Sequence, residues 1–297
     1  MKVLIIGGAG FLGNNLVRRC LSEKSVQITV LDSLDPLMHS STQNLQDVWP
    51  KIRFVRGDIR NETLLAEVVQ DQDVIFNCAA QTSHSLSIQY PLLDADINCL
   101  GSLKLLETVR LLNKDAIVVY TSTSTVIGRL NNAVADENHP ERPLEIYSAN
   151  KGVAEKYFQI YNMHYDLKTI VFRFPNLYGP FGKWYPEFGF INYFIYLAWT
   201  NQQIKIFGTG EQTRNIMYVE DAADILWKAV NEPGLIGDIF FATGSQHLTV
   251  GEITKIIVGV LQKGKIKYVD WPDERRRIEI GSVKFSADKL QALTGWK

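Results

Sequence analysis

The stretch Gly7-Gly8-Ala9-Gly10-Phe11-Leu12-Gly13, set between the apolar run Lys2-Val3-Leu4-Ile5-Ile6 and the helical periodicity of Asn14–Leu21, decides how this chain folds. A short, uninterrupted apolar run has the look of a strand covered on both faces, as in a parallel sheet. Strand, glycine turn and helix in that order bring backbone amides and a helix N-terminus to one point, where an anion is favoured. The spacing Gly7-x-x-Gly10-x-x-Gly13 departs from G-x-G-x-x-G, although Gly8, Gly10 and Gly13 also satisfy that form. The physics is common to both: a tight turn and close approach of the backbone to a pyrophosphate.

Working outward, Gln27–Leu31 predicts a second strand that ends at Asp32. An acidic residue about 20 positions beyond such a turn is placed to bond an adenosine ribose, and its charge would repel a 2′-phosphate, which points to NAD rather than NADP. Lys51–Arg56 predicts a third strand followed by Gly57-Asp58-Ile59, and Asp58 is a candidate acceptor for the adenine amino group. Asp73–Phe76 predicts a fourth, closing on Asn77-Cys78-Ala79-Ala80-Gln81, whose small residues would let a ligand lie against the backbone. Residues 94–112 read as a helix carrying Asn98, and Ala116–Tyr120 as a fifth strand running into the hydroxyls Thr121-Ser122-Thr123-Ser124-Thr125. A helix from near Tyr147 through Tyr161 precedes a sixth strand at Thr169–Arg173. On that helix Tyr147 and Lys151 are one turn apart on one face. A free phenol, with a pKa of about 10, is a poor base at neutral pH, and a cation held nearby favours the phenolate.

Alternating strands and helices over the first 174 residues argue a doubly wound, Rossmann-type parallel sheet in an α/β protein. The pattern changes at 175, and residues 181–215 are rich in aromatics and glycine. The expected division is a dinucleotide-binding domain, 1–174, that regains segments near 215–245, and a smaller, mainly substrate-binding part, 175–297. The chain has 297 residues, a net charge of -1, 46% hydrophobic and 21% charged residues. This is the mix of a globular protein with a full core and carries no signature of nucleic-acid binding. No apolar run is long enough to cross a bilayer and no basic-then-apolar leader is present, so the cytoplasm is the expected compartment. Three cysteines without Cys-x-x-Cys spacing and five scattered histidines indicate neither a disulfide framework nor a metal site.

Taken together, Gly7-x-x-Gly10-x-x-Gly13, Asp32, Asp58-Ile59, Asn77-x-Ala79-Ala80, the hydroxyl run 121–125, Tyr147-x-x-x-Lys151, Arg173-x-x-Asn176-x-Tyr178-Gly179-Pro180 and Arg214-x-x-x-Tyr218-Val219-x-Asp221 resemble the extended short-chain dehydrogenase/reductase family. The resemblance spans the chain and is to its nucleotide-sugar epimerase and dehydratase branch, with the UDP-glucose 4-epimerases as the nearest type. It implies NAD that stays bound against Gly7, Gly10, Phe11, Leu12, Gly13, Asp32, Ser33, Asp58, Ile59, Cys78, Ala79, Ala80, Gln81, Asn98, Thr121, Tyr147, Lys151 and Pro175. It implies Tyr147 as the base that takes a proton from a sugar hydroxyl as hydride passes to NAD, with Lys151 on the nicotinamide ribose and Thr123 completing the hydrogen bonding. It implies Thr123, Asn176 and Arg214 as substrate contacts, the last two at the nucleotide diphosphate, with one of Arg275–Arg277 as a further phosphate ligand. A homodimer through the helices near 94–112 and 147–161 is also implied.

Within the branch, the 4,6-dehydratases follow the catalytic Thr with Asp-Glu, whereas Thr123 is followed by Ser124-Thr125. That speaks for an epimerase: a UDP-sugar 4-epimerase first and a CDP-sugar 2-epimerase as the alternative. A net nucleotide-sugar dehydrogenase or reductase and a non-catalytic NAD-binding regulator are the other readings. Ile127 stands where the family usually has Tyr, which suggests an altered contact near the sugar.

Overall fold

The computed structural model describes residues 1–130, 134–244 and 246–296. Six strands come from the first part of the chain: β1 (Lys2–Ile6), β2 (Gln27–Asp32), β3 (Ile52–Arg56), β4 (Val74–Asn77), β5 (Ile117–Thr123) and β6 (Lys168–Phe174). The later strands are β7 (Asn176–Tyr178), β8 (Gln203–Phe207), β9 (Thr213–Tyr218), β10 (Ile239–Phe241), β11 (His247–Thr249) and β12 (Lys265–Val269). Seven of them form one parallel sheet in the order β10-β6-β5-β4-β1-β2-β3. The strand order reverses beside β1, and such a switch point opens a crevice at the carboxyl ends of the strands.

Burial explains why the strands read as apolar runs. Val3, Ile5, Val30, Phe76, Val119 and Phe172 face one layer, packed on Leu16 and Val17 of helix Phe11–Leu21 and on Ile225 and Leu226 of helix Val219–Ala229. Leu4, Ile6, Leu31, Ile75, Val118 and Val171 face the other, against helices Glu62–Val68, Gly101–Leu112 and Ile146–Tyr165. Both faces are covered, so no polar alternation survives.

The chain returns to this sheet late. Helix Val219–Ala229 lies on helix Phe11–Leu21, joined by Arg19 Nε to Asp224 Oδ1 at 2.8 Å, and β10 pairs with β6 in the register Ile239↔Val171. The remainder is a three-stranded sheet, β11-β9-β7, and the pair β12-β8. Ile191, Phe194 and Leu197 of helix Phe190–Trp199 pack with Ile253 and Ile257 of helix Val250–Leu261 and with Ile204 and Ile206 of β8.

Two local expectations need correction. Residues 94–112 are not one uniform α-helix: after a short turn, Pro91–Asp94, residues Ala95–Leu100 wind as a π-helix before α geometry resumes at Gly101–Leu112. The wider turn accompanies an inward Asn98, whose Oδ1 accepts from Gln81 N at 3.1 Å and whose Nδ2 donates to Gln81 O at 2.9 Å. The fifth strand runs on through the hydroxyl residues to Thr123, paired as Thr121↔Phe172, Ser122↔Arg173 and Thr123↔Phe174.

Candidate active site

A cavity of about 840 Å³ lies at the carboxyl ends of the sheet strands, between them and the second part of the chain. At its floor, the glycine turn is fixed by backbone contacts. Gly7 has φ +80°, and a Cβ there would stand 2.6 Å from the amide nitrogen of Ala79. A Cβ on Gly13 would stand 2.2 Å from the carbonyl oxygen of Gly7. Neither contact has a flexible side chain that could give way. Gly10 is the N-cap of helix Phe11–Leu21 and no side chain caps that end, which leaves its first amides available to an anion.

Asp32 ends β2 and is almost fully buried. Its Oδ2 accepts from Ala9 N at 2.9 Å, and its Oδ1 from Leu34 N at 2.9 Å and Ser40 Oγ at 3.0 Å. The carboxylate thus braces the glycine turn and still lines the cavity beside Ser33. Asp58 and Ile59 line it too. Arg60 donates from Nε to Asp58 Oδ1 at 2.9 Å and from Nη2 to Oδ2 at 2.7 Å, holding the Asp58 carboxyl below its usual range. Cys78, Ala79 and Ala80 complete this side, and burial pushes the Cys78 thiol up to about 12, so it is an inert wall. A turn packed too tightly on backbone for a Cβ at Gly7 or Gly13, an uncapped helix start and an acid at the end of β2 together fit a dinucleotide.

The opposite wall carries the acid–base residues. Glu145 caps helix Ile146–Tyr165 by accepting from Ser148 N at 3.1 Å, which sets the helix so that Tyr147 and Lys151 both face the cavity. Thr123, at the end of β5, is beside them, its hydroxyl 2.9 Å from Thr125 Oγ1, which in turn lies 2.5 Å from Ser148 Oγ. Burial pushes the Tyr147 phenol above its ordinary range, the Glu145 and Asp94 carboxylates add to the rise, and a hydrogen bond with Thr123 opposes it. Burial also pushes the Lys151 ammonium down to about 8, against the pull of Cys78, Glu155 and Asp94. Its Nζ sits 4.2 Å from the centroid of the Tyr120 ring. Burial dominates both groups.

Deeper support comes from a buried ion pair one turn further along the same helix. Arg173 Nη2 lies 2.6 Å from Glu155 Oε2, Arg173 Nε 3.0 Å from Oε1, and Ser122 Oγ donates to Oε1 at 2.5 Å. This ties β5, β6 and the helix together behind Lys151.

Thr121, Pro175, Asn176 and Arg214 line the cavity, and Phe174, which the sequence reading did not single out, lines it with them. Arg214 is engaged: it pairs with Glu279, its Nη2 2.5 Å from Oε1, and donates from Nη1 to Gly281 O at 2.5 Å. Of the arginine cluster, Arg275 reaches this cavity and Arg276 a separate surface recess. Gln81 and Asn98 are buried behind the cavity and do not line it; Gln81 Nε2 donates to Asp94 Oδ2 at 2.7 Å, so the pair positions backbone. Ile127 is fully buried among Val126, Phe241, Val283 and Phe285, a core residue away from any ligand. Sequence reasoning missed Glu145 and Lys183, both of which line the cavity. An acid three positions before Ser148 at a helix start was a capping signal for the first; Lys183 sits in an aperiodic aromatic stretch that gave none.

Comparison with known proteins places this geometry. The family model for the NAD dependent epimerase/dehydratase family matches residues 3–240. A protein of Methanocaldococcus jannaschii, provisionally named as a UDP-glucose 4-epimerase, is 35% identical over 297 residues, covering 99% of this chain and 92% of the relative. The CDP-paratose 2-epimerase of Salmonella typhi is 30% identical over 289 residues, 86% of this chain and 83% of that one. The solved UDP-glucose 4-epimerase of Thermus thermophilus, a complex with NAD, superposes with a TM-score of 0.88 at 25% identity, covering 100% of this chain and 94% of that one.

Proposed function

The chain belongs to the NAD dependent epimerase/dehydratase family, and from that premise we propose that it epimerises a nucleotide-diphosphate sugar, most simply a UDP-sugar at the 4-position. Membership makes it an NAD-dependent enzyme of nucleotide-sugar chemistry; the sugar, the nucleotide and the carbon are our reading. The observation that carries it is the meeting of Thr123, Tyr147 and Lys151 in one cavity with the glycine turn and Asp32.

In this reading NAD, when bound, supplies the hydride acceptor and a positively charged ring. Gly7, Gly10 and Gly13 seat its phosphates, and Asp32 and Ser33 face the adenosine ribose. Tyr147 accepts the proton of a sugar hydroxyl at its phenolic oxygen and later returns it, Thr123 holds that hydroxyl, and Lys151 favours the phenolate from one turn away. Asn176 and Arg214 face the nucleotide diphosphate, with the guanidinium moving from Glu279 to phosphate. The cavity would have to let the keto-sugar turn over before Tyr147 returns the proton, and inversion would follow.

Ser124 and Thr125 support epimerisation over dehydration. Neither is an acid or a base at neutral pH, and the Thr125 hydroxyl is already bound to Thr123 and Ser148. The similarity to CDP-paratose 2-epimerase keeps inversion at the 2-position as the second reading. Among the described residues no helix is long and apolar enough to cross a membrane, and we place the protein in the cytoplasm. Exposed Leu111, Val153, Ile160 and Met163 on helices Gly101–Leu112 and Ile146–Tyr165 support a homodimer through this pair.

The test is proton NMR of purified protein with NAD and a panel of UDP-, CDP-, GDP- and dTDP-sugars. An epimer with no accumulating NADH is expected and would name sugar and carbon. Accumulating NADH with an oxidised product would make the protein a net dehydrogenase and overturn the proposal.

A further inference from the structure

Lys183 has no part in the chemistry described above, yet it lines the same cavity. Its Nζ donates to Thr82 Oγ1 at 3.2 Å and stands 4.1 Å from the centroid of the Phe188 ring. Among the described residues it makes no ion pair. Burial pushes the ammonium down to about 8, and Asp32 is the charge that opposes this. Among the described residues Asp32 makes neither a hydrogen bond nor an ion pair with it; its oxygens accept from Ala9, Leu34 and Ser40. This half-buried ammonium uses one hydrogen bond of a possible three and keeps its remaining donors for an anion in the cavity.

Its position says what that anion is. Thr82 follows β4, the strand beside β1, so the ammonium bound to it lines the cavity on the side of the glycine turn, together with Gly7, Gly10 and Gly13. The segment that carries it is fastened on both sides of that turn. Asn15 Nδ2, on the helix that the turn opens, donates to Pro180 O at 3.1 Å, and the Arg18 guanidinium lies 4.2 Å from the centroid of the Phe181 ring. On the other side the His39 ring, in the loop after β2, stacks on Tyr185 at 3.9 Å. Residues 180–188 thus form a strap from the second part of the chain, anchored to the phosphate-turn helix and to the loop beyond Asp32.

We propose that Lys183 is a phosphate ligand of the bound dinucleotide, delivered by this strap, and that it slows release of the cofactor. The inference rests on NAD as cofactor and not on which sugar is turned over. A charge-assisted bond of this kind is worth about a ten- to hundred-fold change in retention.

The experiment loads the full-length enzyme with NADH and follows loss of its bound fluorescence after a chase with excess NAD. Lys183→Met is expected to release NADH about ten- to hundred-fold faster than the parent, and Lys183→Arg to stay within a few-fold. Displacement of NADH by ADP-ribose should weaken in the Met variant, while UDP binding stays unchanged. Release at the parental rate overturns the proposal. So does weakened UDP binding with unchanged NADH retention, which would put the cation on the substrate side. Circular dichroism checks folding, and Lys183→Gln repeats the test should the Met variant not fold. Failure of the sugar panel above would leave this outcome readable, since it needs no turnover.

Discussion

Replacing Lys151 with methionine is expected to abolish turnover and yet stabilise the cofactor-stripped protein. The ammonium is pushed from 10.5 down to about 8 by burial. The unfolded chain holds that proton up to 10.5, whereas the folded chain holds it only up to about 8. Below pH 8 both states are charged and the folded state bears the whole penalty. Between 8 and 10.5 the unfolded state binds more protons, so the parent gains stability as pH rises. At about 1.4 kcal/mol per unit the penalty is about 3 kcal/mol. The cation over the Tyr120 ring, 4.2 Å from its centroid, returns about 1 kcal/mol that methionine forgoes. A gain of about 2 kcal/mol at pH 7 is therefore expected, shrinking towards zero by about pH 10.5. Urea unfolding followed by circular dichroism at pH 7 and pH 10 reads both numbers. A variant no more stable than its parent at pH 7 would refute the reasoning, because Lys151 would then carry no desolvation cost.

Three other substitutions test separate parts of the account. Arg173 Nη2 also pairs with Glu141 Oε1, so Glu155→Gln leaves the guanidinium buried with that carboxylate alone and should cost about 3 kcal/mol in urea unfolding, with Glu155→Leu/Arg173→Met recovering much of it. Asp32→Ala should lower the preference for NAD over NADP in a direct binding titration; an unchanged ratio would mean that the carboxylate only braces Ala9 and Leu34. Tyr147→Phe should remove turnover and keep bound NAD, measured by extraction and absorbance, since burial of the ring is preserved and only its hydroxyl is lost.

Where burial and backbone chemistry act over neighbouring residues, the sequence carried the answer. The apolar run before Gly7, the glycines at 7, 10 and 13, and Asp32 at the end of the next strand specify a turn whose constraints are mostly local, the approach of Gly7 to Ala79 being the exception. Tyr147 and Lys151 were legible as a pair because a helix has a fixed period. What was not legible came from contacts between distant segments. The π turn that bonds Asn98 to Gln81, 17 positions away, had no signal in the sequence. That Ile127 packs in a core closed by the late residues Val283 and Phe285 needed the fold. Glu145 offered a cap in sequence, but its pairing with His84, Nδ1 to Oε1 at 3.0 Å, needs the fold. Lys183 lies 101 positions from Thr82 and appears beside the glycine turn only because β7 and the strap bring it there.

The central claim is inversion by transient oxidation at a retained cofactor. Its most direct measurement is NMR of the product formed from a nucleotide-sugar deuterated at the carbon that inverts. The account predicts that the deuterium stays on that carbon, with no wash-out into solvent and no net NADH. Loss of the label to water would contradict it, because the carbon would then have been inverted by removal of a proton and not of a hydride.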